Sequence, residues 1–404
     1  MSLERTNWTG VAFGLTVAIF AAFQMFKLPP LMPVLLERYG YDRTLAGGFM
    51  SVYALSGLAF SLYIGRLVER LGPLKPVLGG LLLMLIGNLL ALAHPESGWL
   101  VLAARALEGL GFAGLAIAGP TLVNHSASQR HLPLLVGFTA IWIPVGQVTA
   151  SLAAPLALEL GSWQLLWIFA ILLTLVFVAL TLWLQAGQRL GQTAAPKATQ
   201  SAVPKRRPGE TLALWLAAGV FLLWSGQYFA FMTWLPQYLV EAHELDLSHA
   251  LAGYLLPVVV LIVFALIAGW LLRLGVPLSG LLMGALAIQA AVWFWQPGPE
   301  QPGLGLVALI AYGVGSGITP TCLFAMPSAI AGRQRTARAF GVIMTGRNVG
   351  VFIGPILLAQ AFELTGSWST AGPLFGVCTL LCLLTAGALA VQLRAMASKE
   401  AAEA

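Results

Sequence analysis

The feature that most constrains this chain is a succession of long apolar stretches joined by turns too short to hold a domain. A helix needs about 20 apolar residues to cross a bilayer. Twelve stretches of that kind run roughly over 8–36, 44–64, 75–93, 98–122, 132–157, 164–185, 211–239, 249–272, 277–296, 303–330, 337–362 and 369–394, and are called spans 1 to 12. Composition agrees. Only 9% of the 404 residues are charged and 59% are hydrophobic, whereas soluble domains carry roughly 25% charged residues. So few charges exclude a water-soluble enzyme, a nucleic-acid-binding protein and a disordered chain. The expected fold class is an all-α membrane protein with twelve transmembrane helices. Span 1 is too long and too interrupted by Pro29, Pro30 and Pro33 for a signal peptide, so it is read as retained.

The stretch 186–210 breaks the pattern. It is polar and holds the basic run Lys205-Arg206-Arg207. It reads as a cytoplasmic linker between an N-terminal six-helix bundle (1–185) and a C-terminal one (211–404). With both termini in the cytoplasm, 16 of the 21 Lys and Arg residues fall on that side and two, Arg38 and Arg43, on the other. This bias satisfies the positive-inside rule and fits a location in the plasma (inner) membrane. The remaining three, Lys27, Arg105 and Arg347, lie within spans.

Cys322, Cys378 and Cys382 sit in apolar segments, and no disulfide framework is implied. There is no cluster with metal-ligand spacing, no phosphate-cradling glycine loop and no nucleophile elbow. No cofactor, no metal and no enzyme activity are expected.

The halves repeat each other at an offset near 204. Gly137 and Gly146 of span 5 meet Gly341 and Gly350 of span 11. Gly109 and Gly111 of span 4 meet Gly313 and Gly315 of span 10. Gln24, Phe26 and Pro33 of span 1 meet Gln227, Phe229 and Pro236 of span 7. Such a parallel repeat describes two pseudo-symmetric bundles that hold a solute between them near the midplane.

The loop after span 2 reads Gly65-Arg66-Leu67-Val68-Glu69-Arg70-Leu71-Gly72-Pro73-Leu74-Lys75, and span 4 carries Arg105-Ala106-Leu107-Glu108-Gly109-Leu110-Gly111. These resemble the G-x-L-x-D-R-x-G-R-R-x and R-x-x-Q-G-x-G patterns of the major facilitator superfamily, with Glu69 for Asp, Pro73-Leu74 for the double Arg, and Glu108 for Gln. The resemblance covers essentially the whole chain. It implies a gating role for Gly65, Glu69, Arg70 and Gly72 that favours an outward-open state; the alternative is a basic loop that only sets topology. Trp234-Leu235-Pro236 and the Gly313–Pro327 stretch resemble, faintly, the cyanate and nitroimidazole permease branch.

Glu108 is the one acid well inside a span, and Arg105 shares its helix face. Two readings stand level: a structural ion pair, or a proton-coupling carboxyl. Lys27, three residues after Gln24 and just before two prolines, either snorkels outward or lines the central cavity. Arg347, with Asn348, either reaches a carbonyl or a cytoplasmic acid, or grips a substrate carboxylate through two parallel bonds. Gln24, Gln227, Tyr228 and Phe229 complete the expected substrate contacts. Trp142, Trp224 and Trp234 are further candidate pocket walls, or lipid-facing and packing groups. The five histidines map to loops or helix ends and read as solvated. With only Glu108 to offset three basic residues, Lys27 and Arg347 are expected to lack an intramembrane acid and to hold an anion together.

The function expected is secondary active transport of a small anionic solute by alternating access. The transporter would work as a monomer in the lipid bilayer, as a symporter with protons as the candidate coupling ion, and with no nucleic-acid partner. The alternative is a proton-driven exporter of drugs or other amphipathic compounds, suggested by the aromatic content and Glu108. A substrate-sensing receptor on the same fold would normally add a soluble domain.

Overall fold

The computed structural model describes residues 5–128, 130–131, 135, 138–139, 141–187, 208–295, 302–331 and 336–403. Among them every regular element is a helix: α1 (Trp8–Phe26), α2 (Met32–Tyr39), α3 (Arg43–Leu71), α4 (Leu74–Ala93), α5 (Gly98–Ser126), α6 (Trp142–Glu159), α7 (Gln164–Ala186), α8 (Glu210–Ala242), α9 (Leu247–Arg273), α10 (Leu278–Phe294), α11 (Pro302–Ala331), α12 (Thr336–Thr365) and α13 (Ala371–Glu403), with short 3-10 turns at Pro29–Leu31 and Trp368–Thr370. Helices suit this composition because lipid offers the backbone no hydrogen bonds.

Nine helical segments among the described residues are long and apolar enough to cross a membrane, α1 and α2 counting as one. The chain is an integral membrane protein. The count of twelve expected from the sequence rests on the other three. α10 has only 17 residues. α6 is diluted by Gln147, Thr149 and Ser151, and several side chains of α3 lie outside what the structure describes.

Polar residues at the turns start the helices. Asn7, Asp42 and Asp246 each accept a hydrogen bond from the backbone N–H three residues on, which satisfies a donor the helix cannot. Span 1 breaks where its prolines predict. α1 ends at Phe26, a 3-10 turn carries Pro29 and Pro30, and α2 runs to Gly40 in the left-handed region.

The chain divides into two compact units, 1–198 and 199–404. Their boundary, and the basic run of the expected linker, lie outside the described residues. Within unit 1, α1 packs on α5 and α6, α3 on α5, and α4 on α5 and α7. Within unit 2, α8 packs on α11 and α12, α9 on α11, and α10 on α11 and α13. The same pairing order recurs, and it reaches single residues. A Cβ added to Gly146 would lie 2.5 Å from the Ile19 carbonyl oxygen of α1, and one on Gly350 would lie closer still to the Leu222 carbonyl of α8. Both glycines let two backbones touch, which is how helices gain packing energy in lipid. Gly137 lies outside the described residues.

Candidate functional site

Five polar side chains are fully buried together in unit 1: Gln24, Lys27, Asn88, Arg105 and Glu108, each 0% exposed. Glu108 is the centre. Its Oε2 accepts from Arg105 Nη1 at 2.6 Å and from the Tyr53 hydroxyl at 2.6 Å, and its Oε1 lies 3.4 Å from Lys27 Nζ. Lys27 also donates to Gln24 Oε1 at 2.7 Å and to Asn88 Oδ1, and its ammonium sits 4.5 Å from the centre of the Trp167 ring. Asn88 Nδ2 donates to the Met84 carbonyl at 2.7 Å and to Gln24 Oε1 at 3.3 Å. Gln24 Nε2 donates to Thr174 Oγ1 at 3.3 Å.

The prolines of span 1 explain where Arg105 goes. A helical carbonyl is normally bonded by the N–H four residues later. Pro29 has no N–H, so the Met25 carbonyl loses its partner. Arg105 Nη2 donates to it at 2.9 Å, and Nη1 donates to the Gln24 carbonyl at 3.1 Å. Arg105 therefore splices the broken end of α1 onto α5 while pairing with Glu108.

This geometry corrects the expectation that Lys27 lacks an acid. Its ammonium reaches Glu108 across two helices, and nothing of it is exposed. Counting charges span by span missed the pair because it is made by packing, not by local spacing. Two cations share one carboxylate in this network.

In unit 2, Gln227 Nε2 donates to Thr379 Oγ1 at 2.5 Å and to the Phe375 carbonyl at 3.3 Å. The Gln24–Thr174 pair thus recurs at the repeat positions. Arg347 is half-buried on α12. Its Nη1 donates to Asn348 Oδ1 at 3.1 Å, and its guanidinium lies 5.4 Å from the centre of the Phe229 ring. No carboxylate is within ion-pair distance of it among the described residues. Tyr228 stacks on Trp224 with ring centres 5.2 Å apart and meets Phe229 edge-on at 5.4 Å.

Other expected residues fall elsewhere. Trp234 bonds the Pro355 carbonyl at 3.0 Å, a packing role, and Trp142 packs on Phe112. Gly65 and Arg70 lie in the last two turns of α3, and Gly72 follows with φ 75°. The Glu69 side chain lies outside what the structure describes. His94 and His249 are exposed beside acids, whereas His131 is part-buried against the Thr6 hydroxyl at 2.8 Å, a correction to the reading of all five as solvated. Sequence reasoning missed Tyr53, Asn88, Trp167 and Thr174. Asn88 carried a signal, being the one polar side chain in 76–93. Among the described residues no group of three or more His, Cys, Asp or Glu could hold a metal.

Comparison with known proteins bears on this geometry. The Major Facilitator Superfamily profile matches residues 14–355. The inner membrane transport protein YajR of Escherichia coli (strain K12) is 26% identical over 181 residues, 45% of this chain and 38% of the relative. A protein of Cupriavidus pinatubonensis named "Probable 4-methylmuconolactone transporter" is 27% identical over 223 residues, 54% of this chain and 51% of the relative. Against these two the chain spans about half of the relative's length or less. The gentisate transporter of Corynebacterium glutamicum is 23% identical over 98% of this chain and 89% of its own length. The family and these transporter names point to a transporter rather than an enzyme. A profile match over most of the chain, two all-helical units with the same pairing order and a shared Gln–Thr pair lead to one conclusion: the chain belongs to the Major Facilitator Superfamily.

Proposed function

We propose that this chain is a secondary transporter of small organic anions of the aromatic-acid class, working by alternating access with protons as the coupling ion. The observation that carries the reading is the buried charge imbalance: Lys27, Arg105 and Arg347 against Glu108. A cation at the bilayer centre costs roughly 3 kcal/mol on insertion scales, and a substrate carboxylate would offset one of the two excess charges by pairing with Arg347. Arg347 is the anchor assigned to it. It is half-buried, has no acid within ion-pair distance among the described residues, and stands beside Asn348 and the Phe229 ring. A planar guanidinium takes a carboxylate through two parallel bonds, and ring faces nearby suit an aromatic body. The relatives' names favour gentisate-like acids over the cyanate and nitroimidazole solutes that the end of span 7 suggested.

Lys27 belongs to the coupling part of the proposal rather than to the substrate. Its contact with Glu108 is the long one at 3.4 Å, whereas Arg105 and Tyr53 hold Oε2 at 2.6 Å. Movement of the break after α1 would change that contact first. An ion pair that forms in one state and loosens in another gives a proton the differential affinity coupling requires. The distribution of basic residues supports cytoplasmic termini and the inner membrane as the location.

Ligand-induced thermal stabilisation of the purified chain tests the reading. Gentisate should raise the unfolding midpoint of the wild type, Arg347→Ala should lose that response, and Arg347→Lys should keep part of it. Stabilisation by tetraphenylphosphonium but not by gentisate would favour the exporter of amphipathic compounds.

A further inference from the structure

The repeat gives the polar network of unit 1 a set of counterparts in unit 2. Gln24 corresponds to Gln227, so Lys27 corresponds to Ala230. Gly109 corresponds to Gly313, so Arg105 and Glu108 correspond to Leu309 and Tyr312. A Cβ on Gly111 would meet Met84 Cγ, and one on Gly315 would meet Gln289 Cγ. Four residues further on, Asn88 corresponds to Trp293. Lys27, Asn88, Arg105 and Glu108 are thus replaced by apolar or aromatic residues, while Gln24 keeps its amide in Gln227. The two longest side chains, Lys27 and Arg105, are replaced by Ala and Leu.

Unit 2 has a cavity there. About 490 Å³ in volume, it lies wholly within unit 2 and is lined by Trp293, Leu309, Tyr312 and their neighbours Phe231 and Phe375. That is the size of a small-molecule site. Its wall is an aromatic cluster, with ring centres 4.7 Å apart for Phe231 and Tyr312, 4.7 Å for Trp293 and Phe375, and 5.0 Å for Phe231 and Trp293. Two donors in this wall lack a well-formed hydrogen bond. The Trp293 indole N–H is buried without a hydrogen-bond partner among the described residues, and the Tyr312 hydroxyl has only the Ser316 side chain nearby, without good hydrogen-bond geometry; Tyr312 is 1% exposed and Trp293 6%. Buried donors are almost always paired, so an orphaned one calls for a partner.

We propose that this cavity is a binding site within unit 2 for a single-ring aromatic compound bearing an oxygen acceptor, a carboxylate or a phenolic oxygen. The ring would pack edge-to-face against the Phe231–Trp293–Tyr312–Phe375 cluster, and the oxygen would accept from Tyr312 and Trp293. A lipid acyl chain would match the apolar wall but offer neither donor an acceptor. The site rests on binding within one unit and requires neither Arg347 nor transport.

Equilibrium dialysis of radiolabelled benzoate against the full chain in lipid nanodiscs tests it. Saturable binding is expected in the wild type. Tyr312→Phe and Trp293→Phe should each weaken it about tenfold, the effect of one lost hydrogen bond to a charged group. Ala308→Leu, which adds bulk at a lining position, should abolish it, and Arg347→Ala should leave this class of site in place. Wild-type affinity in both Phe variants, no saturable binding, or displacement of benzoate by laurate at equal concentration would overturn the proposal. The gentisate response of Arg347→Ala keeps the two readings apart. Benzoate binding that follows Arg347 alone sinks this site and spares the proposed function. Binding that follows Tyr312 and Trp293, with a normal gentisate response in Arg347→Ala, does the reverse.

Discussion

Replacing Glu108 by Gln preserves volume but removes the one charge that two cations share. The amide oxygen can take the place of Oε2 and still accept from Arg105 and Tyr53, both at 2.6 Å. The amide nitrogen must then occupy the place of Oε1, 3.4 Å from Lys27 Nζ, so donor faces donor. Lys27 keeps only Gln24 and Asn88. Removing one partner of a buried ion pair costs about 3–5 kcal/mol, whereas replacing both is often neutral. Glu108→Gln should therefore lose about 3 kcal/mol of stability, and Lys27→Met somewhat less because Glu108 still holds Arg105. The double variant should cost at least about 1.5 kcal/mol less than the sum. Steric trapping in bicelles reads these free energies directly. Costs that add within about 0.5 kcal/mol would refute the coupling of Lys27 to Glu108.

Three further outcomes follow from particular contacts. Asn88→Leu strips an acceptor from Lys27 and a donor from Gln24 and should cost about 1–3 kcal/mol in the same assay. Gly350→Val puts branched carbon where even a Cβ would collide with the Leu222 carbonyl, so the variant should fail to elute as a single species by size exclusion. Asp246 caps α9 outside the spans, and the His249 backbone N–H, then the Ser248 hydroxyl and the His249 ring, hold its carboxyl well below the usual carboxylate range. A lowered folded value means the cap's stabilisation is present above about pH 4 and fades as pH falls below it. The gap in thermal midpoint between wild type and Asp246→Ala should be widest near pH 7 and shrink toward pH 3.

The helices were legible because lipid removes the backbone's alternatives, so a long apolar stretch has one common solution. Pro29 and Pro30 announced the break in span 1, and Gly146 and Gly350 marked matching positions in the repeat. The Arg105–Glu108 pair was legible too, because a three-residue spacing is local. The Lys27–Glu108 contact was not. It depends on how α1, α4 and α5 pack, and nothing in the order of residues states that Asn88 and Trp167 will surround the same ammonium. The cavity of unit 2 was hidden for a related reason. Matched glycines advertise what the halves share, while the cavity lies where they differ, at Trp293, Leu309 and Tyr312.

The central claim is that this chain moves an organic anion anchored by Arg347. Uptake of radiolabelled gentisate into proteoliposomes under an imposed pH gradient measures it most directly. The account predicts accumulation above the equilibrium level with the wild type, collapse of accumulation when the gradient is dissipated, and no accumulation with Arg347→Ala. Wild-type uptake rates in Arg347→Ala, or transport of tetraphenylphosphonium without transport of gentisate, would contradict it.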